Sequence, residues 1–127
     1  MNDRFKFRIF LKAHNQMCNV HTLHTGTNKV IISTRYGNSS VQINDYNILM
    51  QCTGLKDKKK KLIYEGDILK INETSRLVVV KFKGISFELF AKPTNLVGYH
   101  NDKYIPEDCE IVGNIYENPE LFTEVSE

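Results

Sequence analysis

Residues 53–71, TGLKDKKKKLIYEGDILKI, hold the densest charge in the chain: Lys56, Lys58, Lys59, Lys60 and Lys61 around Asp57, then Glu65 and Asp67 on either side of Gly66. Five ammonium groups on one turn can meet several phosphates, and each such contact makes binding fall with added salt. With Arg4, Lys6 and Arg8 of the basic first segment, they form a candidate surface for sequence-tolerant nucleic-acid binding. Phe82, Phe87 and Phe90 would add base stacking only if they faced outward. The plainer reading is a solvated hairpin tip, held by Leu55 and Leu62 on its two arms, whose charges keep neighbouring edges from pairing. Charge runs are usually solvated faces, and this reading is favoured.

Two carboxylates at the spacing of Glu65 and Asp67 would share a strand face and could hold a hard cation or shuttle a proton. Gly66 between them signals a bend instead, where acidic side chains accept hydrogen bonds from nearby backbone amides. The structural role is favoured. His14, Cys18, His21 and His24 bring nitrogen and sulfur ligands of the kind zinc takes. Their 4-3-3 spacing suits one helical face, whereas the surrounding residues favour strands, which would point Cys18 and His21 to opposite sides. No zinc site is assigned. Neither a GxSxG elbow nor a phosphate-binding glycine loop occurs. No catalytic residue, metal or cofactor is therefore expected, and the chain reads as non-enzymatic.

The elements that would position these groups are short strands. Residues 4–10 alternate Phe5, Phe7 and Ile9 with Lys6 and Arg8, the period of a half-buried strand. AHNQ is a turn; residues 17–23 and 29–34 read as strands separated by the turn HTGTN, and YGNSS at 36–40 reads as another turn. Residues 46–53 fit a strand or a helical turn. Residues 67–72, 76–82, 85–91 and 110–116 are strands, the second rich in branched side chains. NPELF at 118–122 has a helix-start pattern, with Asn118 able to cap free amides and Pro119 at the first helical position. Residues 92–107 read as a long loop. The pattern predicts a mainly β fold, a small antiparallel barrel or sandwich with an SH3-like barrel among the options, closed by a short C-terminal helix.

A length of 127 residues suits a single domain spanning 1–127. Its net charge of +2 hides a division: residues 1–100 carry sixteen Lys or Arg against seven Asp or Glu, a basic body, and residues 101–127 carry one against eight, an acidic segment. Three widely spaced cysteines suit reduced thiols better than a disulfide framework. The opening MNDRFKFRIFLKAHNQ is broken by charge where a secretion signal would be apolar, and no window approaches the roughly 18 apolar residues of a membrane span. A cytoplasmic protein with no membrane partner is expected.

Three blocks resemble a known family. KFRIF at 6–10, MQCTGLKDKKKKLIYEGDILKI at 50–71 and IVGNIYENPELF at 111–122 occur in the order and spacing of the YopX family of small phage and prophage proteins found mainly in bacteria. Phe10 stands where tryptophan is expected. The family's turn usually carries Asn-Gly where this chain has Lys59 and Lys60, and lysine reaches positive φ with difficulty, so a longer or different turn is expected. The resemblance implies a β-rich fold, a phage-derived gene and a bacterial host cell, and brings no catalytic residues with it. The leading functional expectation is an accessory protein acting through protein contacts, either with itself as a homo-oligomer or with a host or phage protein. Asn118, Pro119, Leu121 and Phe122 are its candidate docking segment, and nucleic-acid binding through the lysines is the alternative.

Overall fold

Branched and aromatic runs punctuated by Asn and Gly turns form ten strands in the computed structural model, which describes residues 5–24, 26–71, 77–83, 86–90 and 108–123, the backbone alone at 82–83, 86–90 and 122–123. In chain order they are β1 (Phe7–Leu11), β2 (Gln16–His24), β3 (Lys29–Thr34), β4 (Gly37–Gln42), β5 (Asn47–Lys56), β6 (Leu62–Tyr64), β7 (Asp67–Ile71), β8 (Leu77–Lys83), β9 (Ser86–Phe90) and β10 (Cys109–Asn114), followed by the single helical turn α1 (Glu120–Thr123). They pair as two antiparallel sheets, one ordered β4-β3-β2-β1-β5-β6 and the other β10-β7-β8-β9. Neither sheet closes on itself among the described strands, so the architecture is mainly β and antiparallel but is not a closed barrel. No helix of the described residues is long and apolar enough to cross a membrane.

The turns follow their residues. Asn15 (φ 51°) and Asn28 (φ 58°) take the left-handed conformation at the tips of β1–β2 and β2–β3, which Asn tolerates better than other side chains. The YGNSS stretch departs from expectation. Only Arg35 and Tyr36 make the turn, and Gly37 (φ 114°) already begins β4, which pairs with β3 from Thr34↔Gly37 to Lys29↔Gln42. Its Asn and Ser content reads as a loop, yet the β3 ladder imposes the strand. Residues 47–56 settle as strand, because β1 pairs with them over five residues.

β1 was expected to show one wet face and one buried face. It instead lies in the middle of the larger sheet, with β2 on one side and β5 on the other, and Ile9, Phe10 and Leu11 are all buried. A central strand covered on both faces need not alternate. One face supplies Ile9 and Leu11 to a cluster with Val30 and Ile32. The other turns Phe10 onto Tyr116, whose ring stacks at 5.3 Å between centroids. Phe5, expected inside, is 73% exposed.

The smaller sheet is likewise covered on both faces. Leu69, Ile71, Val78 and Val80 pack with Ile63 and Cys109, while Ile68 and Val79 on the reverse pack with Ile115 and Leu121. Each such fully buried aliphatic side chain contributes on the order of 1.5–3 kcal/mol. The sheets are tied where the β5–β6 hairpin meets β10, through Lys58 N–H to the Cys109 carbonyl, and where the β6–β7 turn meets β8, through Gly66 N–H to the Val80 carbonyl. The sequence's charged segment lies between these two ties.

Candidate functional site

The lysine turn is a three-residue loop organised by Asp57. Lys60 N–H donates to the Asp57 carbonyl and Asp57 N–H to the Lys61 carbonyl, both at 2.9 Å, and Lys60 stands at φ 66°. This is a type I turn closed by a left-handed residue, the position that favours glycine. Lys60 thus adopts the left-handed conformation itself. The Asp57 side chain, 2% exposed, receives three backbone N–H groups: Lys59 and Lys61 at 2.9 Å on Oδ1, and Ile111 of β10 at 3.0 Å on Oδ2. Burial alone would raise its carboxyl, but the N–H groups of Ile111, Lys61 and Lys59 and the Lys61 charge overcome this and hold it below the usual range.

The cations on this turn are only partly available. Glu110 on β10 accepts Lys59 Nζ at 2.7 Å and lies 3.7 Å from Lys58 Nζ. Hydrogen bonding and charge from Lys59 hold Glu110 below the usual carboxylate range, and the same contacts raise Lys59. Lys56, Lys60 and Lys61 are exposed. Leu62 is half-buried as an anchor should be, whereas Leu55 is 52% exposed.

The basic first strand does not join them as one surface. Lys6 is exposed, Arg4 lies outside the described residues, and Arg8 points inward with its side chain 12% exposed. Its Nη2 meets Asp67 Oδ1 at 2.7 Å and the Glu65 carbonyl at 3.2 Å, and its guanidinium sits 4.7 Å from the centre of the Tyr64 ring. Of the candidate phosphate contacts, Arg8 is thus already engaged by Asp67 inside the fold. The side chains of Phe82, Phe87 and Phe90 lie outside what is described.

The acidic pair also separates. Gly66 turns the chain at φ 91°, and a Cβ there would stand 3.0 Å from Met50 Sδ. Asp67, 2% exposed, divides its oxygens between Arg8 and the Tyr64 N–H at 2.8 Å. Burial pushes its carboxyl up, and Arg8 and Tyr64 partly counter that. Glu65 instead lines a cleft of about 200 Å³ between β5, β8 and the chain after β10, facing Lys81 and Tyr116. Burial raises the Glu65 carboxyl, offset in part by a Gln51 backbone hydrogen bond and by Lys81 and Arg8. Asp67 is committed to Arg8 and the Tyr64 N–H, while Glu65 lines the cleft, and the Arg8 charge acts on both carboxyls.

Two residues of the NPELF segment, Asn118 and Leu121, are engaged within the domain. Asn118 Oδ1 reaches back to accept the Asn114 N–H at 3.2 Å. It fits because Gly113 has no Cβ, which would come within 2.5 Å of that oxygen. Asn114, 6% exposed, binds the N–H groups of Tyr116 and Glu117 through its own side-chain oxygen. Leu121 packs against Ile68 and Val79, Pro119 is exposed, and the Phe122 side chain lies outside the described residues. His14, His21 and His24 are exposed and Cys18 is partly buried; among the described residues no three His, Cys, Asp or Glu are placed to hold a metal ion.

The surface feature that sequence reasoning missed is β4. This outer strand is exposed at every side chain except half-buried Val41, carries no charge, and has exposed tyrosines near both ends: Tyr36 at 90% and Tyr46 at 71%. The available signal was the register of residues 37–42 against the apolar run KVIIST, obscured by Gly, Asn and Ser.

Comparisons with known proteins agree with this fold. The family model described as YopX protein matches residues 6–123. The crystal structure of protein EF1440 from Enterococcus faecalis is 26% identical, with a TM-score of 0.61 over 91% of this chain and 96% of that one. The crystal structure of protein yopX from Bacillus subtilis is 20% identical, with a TM-score of 0.62 over 93% and 98% of the two chains. A search of curated proteins finds no match.

Proposed function

The chain belongs to the YopX family, and on that premise we propose that it is a non-enzymatic phage or prophage accessory protein of the bacterial cytoplasm that acts by contacting other proteins, its own copy among them. The observation that carries this reading is the uncharged β4 edge, with exposed Tyr36 immediately before it and exposed Tyr46 in the turn that follows it. Tyrosine offers a large, stiff contact area with a polar tip and is enriched where proteins meet. An open edge offers a row of main-chain donors and acceptors for an added strand. The sandwich-like pairing of the two sheets, with the C-terminal helical turn packed through Leu121 on Ile68 and Val79, supplies the rigid frame in this reading.

The lysine turn supports the nucleic-acid alternative less well, because Glu110 already engages Lys58 and Lys59 and Arg8 is matched by Asp67. Affinity capture from host lysate, with and without nuclease, tests the choice. Protein capture that survives nuclease and Lys58–Lys61→Ser replacement, but drops in a Tyr36→Ser, Tyr46→Ser double variant, is expected. Capture abolished by nuclease or by the lysine replacement would instead favour nucleic acid.

A further inference from the structure

Exposed edge strands are normally protected by charge, proline, bulges or brevity. β4 has none of these: Gly37–Gln42 contains no charged residue and no proline, runs six residues, and pairs with β3 without a register shift. The other described edges differ. β6 is three residues long and adjoins the lysine turn, β10 is bulged between Ile111 and Gly113 and carries Glu110, and β9 carries Glu88.

The hydrogen-bond phase of β4 tells which groups are on offer. Ile43 N–H donates to the Asn28 carbonyl at 3.0 Å. Main-chain groups of an antiparallel strand alternate in direction, so Val41, Ser39 and Gly37 face β3, and Asn38, Ser40 and Gln42 face outward. The Gln42 carbonyl accepts Asn47 Nδ2 at 2.9 Å. Asn38 and Ser40 therefore present the outward N–H and C=O pairs on this edge.

We propose that β4 pairs antiparallel with β4 of a second copy of this chain, about a two-fold axis at Ser39, setting Asn38 of each copy opposite Ser40 of the other. This rests on the protein-contact reading above and names the partner. Each Asn38–Ser40 pair exchanges two N–H···O bonds, and the two larger sheets become one. Three features select a second copy. A charged edge would meet its own charge across the dyad, a destabilising arrangement that uncharged β4 avoids. The same register brings exposed Tyr36 of each copy alongside Gln42 of the other, so an aromatic ring closes each end of the seam. In the same register Arg35, just before β4, falls opposite Ile43 of the second copy, two residues short of Asp45, so unlike charges lie at the same end of the seam. The axis makes the contact isologous, so assembly stops at two.

Sedimentation of the full chain across a concentration series tests this with two variants. Ser40→Pro removes an outward N–H and leaves the β3 ladder intact, since Ser40 does not donate to β3. Ser40→Lys places like charges beside the axis without constraining the backbone. The wild type is expected to dimerise, with self-association weakened at least tenfold by either substitution, and by Ser40→Lys more at low salt than at high salt. Circular dichroism should match the wild type. If Ser40→Pro misfolds, Ser40→Lys alone decides. A dimer indifferent to Ser40→Lys would overturn the seam. A wild type that stays monomeric at hundreds of micromolar overturns self-pairing; if lysate proteins are then still captured through this edge, the broader reading stands, and if nothing is captured that reading fails as well.

Discussion

The hairpin tip at Asp57–Lys61 and the hairpin strand β4 are opposites. The first is the most charged stretch of the chain, yet its central carboxylate is buried under three backbone N–H groups and two of its lysines lean on Glu110. The second is among the blandest, yet it leaves uncharged main chain at the outer edge of its sheet, directly after exposed Tyr36. Conspicuous side chains can be fully occupied in holding the fold, while availability is a property of backbone position. Charge density reports what must be solvated or matched, and says little about what remains to bind.

The contrast can be broken most directly at Asp57. Asp57→Ala would orphan three partly buried N–H groups, each worth about 1–3 kcal/mol, and the expected loss is about 3–5 kcal/mol by chemical denaturation. A loss below about 1 kcal/mol would show that the turn does not depend on its carboxylate. The pH dependence sharpens the same point. Because the folded Asp57 carboxyl lies below its unfolded value of about 4, its contribution is complete above that value and is lost as pH falls through the depressed folded one. Asp57→Asn should flatten the stability profile in that acid window.

Next in size, Lys60→Gly should stabilise the protein by about 1 kcal/mol, read as a raised melting temperature, because glycine takes φ 66° without the steric cost a lysine bears. A destabilised variant would mean that the Lys60 side chain contributes something beyond the backbone geometry. Ser40→Lys on β4 should change stability least, by less than about 0.5 kcal/mol, since an exposed edge position touches no core. Finally, Glu110→Gln frees Lys58 and Lys59 from their acidic neighbour. Should the turn grip nucleic acid, this variant would bind DNA more tightly than the wild type in a salt titration; no binding by either protein is the expected result.

Much of the fold was legible because local chemistry and tertiary demand agreed. KVIIST became β3 with its expected bounds, the Leu-Val-Val-Val run became the buried heart of β8, and AHNQ and HTGTN placed Asn at left-handed turn positions. Three blocks identified the family. β4 was missed because its Gly, Asn and Ser residues have no strand preference of their own, and only the ladder offered by β3 makes them extended. The inward turn of Arg8 was not legible because alternation assumes one wet face, and β1 lies between two strands with Ile9, Phe10 and Leu11 all buried. Asn118 was expected to cap free amides, and that it reaches back to Asn114 was not legible, since nothing in the local sequence shows that Gly113 leaves room for it.

By itself, then, the sequence determined the β character, the Asn turns at 15 and 28, the charge division and the family, all consequences of short-range backbone preference and composition. The tertiary structure alone decided which charges are matched and which backbone is left open. Asp57 meets Ile111 across 54 residues and Arg8 meets Asp67 across 59. Whether an ammonium, a carboxylate or a strand edge is available depends on what the fold brings opposite it, and no local pattern encodes that.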